Sequence, residues 1–136
     1  MDLEQARDWL RSRHRAVLAT VRADGTPQLS PVTCGLDDVG RVVVSTRETA
    51  VKTRNLRRDP RGWLCVLTDE FYGGHVQIEG RATVISLPDA MEPLVAYYRA
   101  VAGEHPAWDD YRAAMERDQR VLLRFELLRA GPDISG

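Results

Sequence analysis

Cysteine is scarce in this chain. Cys34 and Cys65 are the only two. That is too few for a disulfide framework, and it fits a reducing cytoplasm. Neither cysteine stands at metal-ligand spacing from the other or from His14, His75 or His105, so no metal site is expected. No apolar stretch reaches the roughly 18 residues of a membrane span. Met1 to Gln5 has neither the basic nor the apolar region of a secretory leader. The formal net charge is only −1, which leaves no electrostatic excess for holding nucleic acid. No Gly-x-Ser-x-Gly elbow, phosphate-binding loop or dinucleotide fingerprint occurs. An enzyme built on this chain therefore borrows its reactive group from a cofactor. The scarcest charged residue is lysine: of 19 basic residues, Lys52 is the sole one that is not arginine.

What the chain does have is an ordinary globular balance, 43% hydrophobic and 29% charged over 136 residues, which suggests one domain spanning 1–136. Asp2, with Gln5 three residues on, opens a helix over 2–13. Strands are expected at 15–22, 28–36, 41–46, 62–68, 75–86 and 119–129. Asp24-Gly25 supplies the first hairpin turn, and Pro31 marks an edge or a bulge in the second strand. Helices are expected at 48–58, at 88–102 with proline in the first turn, and at 108–117. Residues 131–136 read as a frayed tail. Six short strands, mostly in hairpin order, with flanking helices, predict a small antiparallel barrel. Closing the sheet removes its exposed edges.

Three segments are candidates for binding chemistry. In the first, a strand ends at Ser45-Thr46 and a helix follows within a few residues. Helix N-termini carry unpaired N–H groups and partial positive charge, so they attract phosphate. Lys52 adds a point charge there, with Arg47 and Arg54 nearby. The same residues also suit a plain solvated helix. In the second, Phe71-Tyr72-Gly73-Gly74-His75 pairs glycines that let backbone approach a flat ligand with aromatics that wall a ring. It also reads as a turn before a long strand. In the third, Gln28-Leu29-Ser30-Pro31-Val32-Thr33, an irregular strand aims backbone groups at a ligand edge, or is simply a proline-marked edge.

Val51-Lys52-Thr53-Arg54-Asn55-Leu56-Arg57-Arg58-Asp59-Pro60-Arg61 resembles a signature of pyridoxamine-phosphate-oxidase-like split-barrel proteins, and more narrowly of the actinobacterial branch that uses the deazaflavin coenzyme F420. Leu18-Ala19-Thr20 with Asp24 to Ser30, and Ala102 to His105 with Trp108 to Arg112 and Arg120 to Leu123, are similar to the same branch. The resemblance implies a mainly β, α+β fold: a six-stranded antiparallel split barrel of the FMN-binding type with flanking helices. It also implies a homodimer with two cofactor sites at the subunit interface. On it, Ser45, Thr46 and Lys52 meet the cofactor phosphate or the deazaflavin tail, with Ala50, Val51, Asn55 and Leu56 beside them. Ser30, Pro31 and Val32 border the ring system. Tyr72, Gly73, Gly74 and His75 approach the cofactor, from the same chain or its partner. Ala50 departs from similar proteins that carry arginine there.

The function implied is oxidoreduction: hydride transfer from reduced F420 to an electron-poor small molecule such as an enone, a quinone-like compound or a pigment. No catalytic side chain is assigned, because water or substrate can supply the proton. Two alternatives stay open, an FMN-binding flavoprotein of the same fold and a non-catalytic F420 carrier. An open pocket beside the ring favours the enzyme over the carrier. Arg54, Arg57 and Arg58 are candidates for a basic exit groove that a polyglutamate tail would use.

Overall fold

A computed structural model describes residues 1–133. The chain forms six strands and four helices: α1 (Leu3–Leu10), β1 (Arg15–Val21), β2 (Pro27–Leu36), β3 (Val42–Arg47), α2 (Val51–Arg58), β4 (Arg61–Leu67), β5 (His75–Ile85), α3 (Met91–Ala102), α4 (Trp108–Arg117) and β6 (Arg120–Asp133). The strands close into an antiparallel barrel in the order β1-β2-β3-β6-β5-β4. Alternation explains the closure. In β1 and β4 every second side chain is buried, as a half-covered strand requires. Ala16, Leu18, Leu64, Val66, Val76, Ile78, Val121, Leu123 and Phe125 fill the interior.

Phe125 is the largest fully buried side chain. Gly62 and Gly80 face each other in the β4–β5 register, and a Cβ on Gly62 would lie 2.7 Å from the Phe125 ring. The glycine pair is the space into which that ring packs.

Two helices seal the barrel ends. α1 starts with the expected capping box, Asp2 and Gln5 each accepting the other's backbone N–H. It then buries Ala6 and Leu10 in the core. α2 closes the opposite end with Thr53, Asn55 and Leu56 buried. α3 and α4 lie outside, over a second apolar cluster of Val43, Leu122, Leu94, Val95 and Tyr111. No helix among the described residues is long and apolar enough to cross a membrane.

Several boundaries differ from the sequence reading. α2 starts at Val51 rather than at 48, because Glu48 still donates its N–H to the Gln119 carbonyl as the end of the β3–β6 ladder. α3 starts at Met91. Pro88 precedes it in a turn, where its carbonyl accepts from the Met91 N–H. Residues 131–133 belong to β6 rather than to a tail: Asp133 is opposite Val76, and register shifts let β6 follow β5 to its start. The rest of the expected tail, 134–136, lies outside the described residues.

Candidate functional site

The barrel is closed but not paired everywhere. β2 pairs with β1 along Pro27–Thr33, whereas its other edge pairs with β3 only at Cys34, Gly35 and Leu36. Beyond Cys34 the two strands part. Pro31 sits in the stretch without a second partner, the kind of edge where a missing N–H costs nothing. Across the gap stand Ser45, Thr46 and Arg47, paired only with β6. The gap forms a groove of about 540 Å³ lined by Pro31, Val32, Thr33, Ser45, Thr46, Lys52, Tyr97, Tyr98, Tyr111, Met115 and Arg120.

Each wall has its own chemistry. The β2 wall is backbone and small apolar side chains. The α3–α4 wall presents Tyr97, Tyr98 and Tyr111, and Tyr98 and Tyr111 pack with His105 and Trp108, edge-on and tilted, at centroid distances of 5.0–5.7 Å. The Tyr111 hydroxyl donates to the Leu94 carbonyl at 2.8 Å, and burial pushes its pKa up to about 12. Tyr97 donates to the Thr33 carbonyl at 2.9 Å. That carbonyl lies just past the last β2–β3 pair, so Tyr97 supplies the partner that β3 no longer offers.

The remaining wall is cationic. Lys52 is the second residue of α2 and half-buried. Burial first, and then the neighbouring Arg120 charge, lower its pKa from the ordinary lysine value. Arg120 stands opposite Arg47 in the β3–β6 register, and like charges placed directly across a ladder repel. Its buried Nε has no hydrogen-bond partner. Among the described residues none of these three cations makes an ion pair with a carboxylate. A positive groove of this kind attracts an anion with a flat apolar body.

Of the residues singled out in the sequence, Pro31, Val32, Ser45, Thr46 and Lys52 come together in this groove. Ser30 lies next to it with its Oγ buried and unpartnered. Ala50 is the α2 N-cap and makes no side-chain cap, and Val51 is exposed. Asn55 and Leu56 turn inward. Leu56 is core, and the Asn55 amide donates to Thr20 Oγ1 at 3.1 Å and accepts from Arg58 at 2.9 Å. Tyr72, Gly73, Gly74 and His75 lie in the β4–β5 loop and at the start of β5, outside the groove lining of this chain. Phe71 and Tyr72 are 80% and 90% exposed there. Among the expected exit arginines, Arg57 is tied to Glu48 and Ser86. Arg58 donates to the Val21 carbonyl and to Asn55. Arg54 alone of the three makes no side-chain hydrogen bond or ion pair among the described residues.

Sequence reasoning missed Arg120 and the aromatic wall of Tyr97, Tyr98 and Tyr111. Arg120 becomes visible only through the β3–β6 pairing, which brings distant parts of the chain side by side.

A six-stranded antiparallel barrel whose second and third strands part over a cation-lined groove defines the split-barrel class. A family model described as Pyridoxamine 5'-phosphate oxidase matches residues 3–130, and the chain belongs to that family. Among solved structures it is similar to a conserved hypothetical protein from Mycobacterium tuberculosis, with 26% identity and a TM-score of 0.76 over 96% of this chain and 82% of the other. It is also similar to an F420 reductase, at 21% identity and TM-score 0.67 over 91% and 94%. A heme storage protein from Vibrio cholerae gives 20% identity and TM-score 0.72 over 98% and 96%. The last two likenesses are of fold.

Proposed function

We propose that this protein is a coenzyme F420-dependent oxidoreductase that passes a hydride from reduced deazaflavin to an electron-poor small molecule. The observation that carries this reading is convergence. Pro31 and Val32 of one segment singled out in the sequence meet Ser45, Thr46 and Lys52 of another where β2 and β3 part. The unpartnered Arg120 Nε and Ser30 Oγ fit a ligand that brings acceptors and negative charge. A fold-level neighbour is an F420 reductase, which favours the deazaflavin over FMN.

Bound in the groove, the reduced deazaflavin supplies the hydride. The chain's own residues do the rest. Lys52, with the first-turn N–H groups of α2, holds the anionic end. Pro31 and Val32 offer a flat wall to the ring, and Tyr97 keeps that wall at a set distance from β3. The groove volume falls within the roughly 300–1,000 Å³ of small-molecule sites, which favours an enzyme over a filled carrier. The groups that enclose it exclude water and orient the acceptor, which is how positioning lowers a barrier. No side chain is assigned to proton transfer.

The apolar outer face of β2, β1 and β4 supports a homodimer. Leu29, Ala19 and Trp63 form one row across these strands, and Pro31, Val17 and Cys65 the next.

Parallel fluorescence titration of the purified protein with F420 and FMN tests the reading. Micromolar binding of F420 alone, followed by turnover with an activated alkene or quinone, is the expected result. Preferential FMN binding replaces it with a flavoprotein on the same barrel, and binding of neither removes the cofactor assignment.

A further inference from the structure

We propose that Arg120 is the second arm of an anion clasp: its guanidinium on β6 and the Lys52 ammonium on α2 together hold one phosphate-type group in the groove between β2 and β3. The inference rests on the cofactor reading of that groove and adds to it a residue to which the sequence reading gave no role in the site.

Four observations carry it. Arg120 lines the groove beside Lys52, Ser45 and Thr46. Its Nε is buried without a partner, and a buried donor left unpaired costs about 1–3 kcal/mol. Several arginines elsewhere are matched with acids, among them Arg41 with Asp37, Arg99 with Glu104, Arg112 with Glu92 and Arg129 with Glu79. Arg120 has no such match among the described residues. It is instead set against like charge, with Arg47 opposite it in the ladder and Lys52 close enough for the two charges to oppose each other. A fold that gathers cations and gives them no acid is completed by an anion from outside. The two side chains also differ usefully. The planar guanidinium presents a fork of donors to two oxygens of a tetrahedral oxyanion, while the ammonium contacts a third as a point charge.

The single lysine makes the test direct. Lysine labelled with carbon-13 at Cε gives one lysine signal in this protein, that of Lys52. Titration with inorganic phosphate should move that signal and raise its pH midpoint. Arg120→Gln should weaken phosphate binding about tenfold or more, the size of one charge-assisted contact. Arg120→Lys should restore most of it and add a second lysine signal that also moves. Without phosphate, Arg120→Gln should melt no lower than the parent, since like-charge repulsion is relieved. A merely structural arginine would lose stability. FMN against riboflavin, and F420 against its phosphate-free deazaflavin, give the same contrast for cofactor-borne phosphate: the advantage of the phosphorylated form shrinks in Arg120→Gln.

The proposal is overturned if phosphate leaves the Lys52 signal of the parent unmoved, or if Arg120→Gln binds phosphate and FMN as the parent does. Its failure is separable from that of the proposed function. F420 binding untouched by Arg120→Gln removes the clasp and keeps the function. Phosphate binding that depends on Arg120, with no F420 binding, keeps the clasp and removes the function.

Discussion

Lys52 and Asn55 lie three positions apart on α2 and do different work. Lys52 faces the groove, where burial and Arg120 lower its pKa. The sign has two consequences. An anion bound by the ammonium is held below that lowered pKa and released as pH rises through it. Its release therefore starts at a lower pH than an ordinary lysine near 10.5 would set. In the ligand-free protein, the unfolded chain binds more protons than the folded one between the lowered pKa and 10.5, so the Lys52 contribution to stability rises with pH across that window. Lys52→Gln should weaken cofactor binding by about 1–3 kcal/mol and remove this pH dependence. A dissociation constant measured across alkaline pH checks both, and an unchanged value takes Lys52 out of the site. Asn55 faces inward, and its amide links Thr20 to Arg58. Asn55→Ala leaves a buried hydroxyl and a guanidinium with one partner fewer. It should lower unfolding stability by about 1–3 kcal/mol, read from the denaturant midpoint. The sequence grouped the two residues because they share a motif. It could not separate them, since the phase of a helix relative to its barrel is a tertiary fact.

Single elements were legible where their signals are local. The Asp2–Gln5 capping box, the Asp24-Gly25 turn and the strands at 15–22 and 62–68 rest on neighbours in the chain, and the structure agrees with them. What lay beyond reading was long-range. β6 extends to Asp133 because β5 is eleven residues long and needs a partner to its start. α2 begins late because Glu48 is held by Gln119. The glycine pair in β4 and β5 belongs to the same kind: Gly62 and Gly80 read as weak strand residues until Phe125 is placed between them. Gly62→Ala sets a methyl 2.7 Å from the Phe125 ring. Overpacking of that kind costs about 1–3 kcal/mol, so a matching loss in denaturant midpoint is expected. Phe125→Leu in the same chain should return part of the loss, because it makes room where the methyl intrudes. If the two changes simply add, the ring and the glycines are not in register as described.

At the scale of the whole molecule, the open question is what covers the outer face of β2, β1 and β4. In one chain the rows Leu29–Ala19–Trp63 and Pro31–Val17–Cys65 are exposed at Leu29 and Pro31 and only partly buried at the other four residues. Pro31 belongs both to this face and to the groove. A second copy seated on the face would therefore border the groove mouth, and the contribution of Tyr72 to His75 that the resemblance implies would come from that copy. The two cysteines report on this arrangement. Burial pushes the Cys34 thiol up to about 12, so it stays silent toward a thiol reagent at a pH of about 8, where only thiolate reacts. Cys65 is raised by partial burial but lies on the open face. In a dimer it is shielded. Val17→Arg puts a charge at the centre of that face, next to Cys65 and away from the core. The parent should be dimeric by light scattering and its Cys65 slow to label. The variant should be monomeric, label several-fold faster and bind cofactor more weakly, while Cys34 stays protected in both. If the parent is already a monomer at micromolar concentration with Cys65 freely labelled, the groove of one chain is the whole site, and Tyr72 to His75 have no part in it.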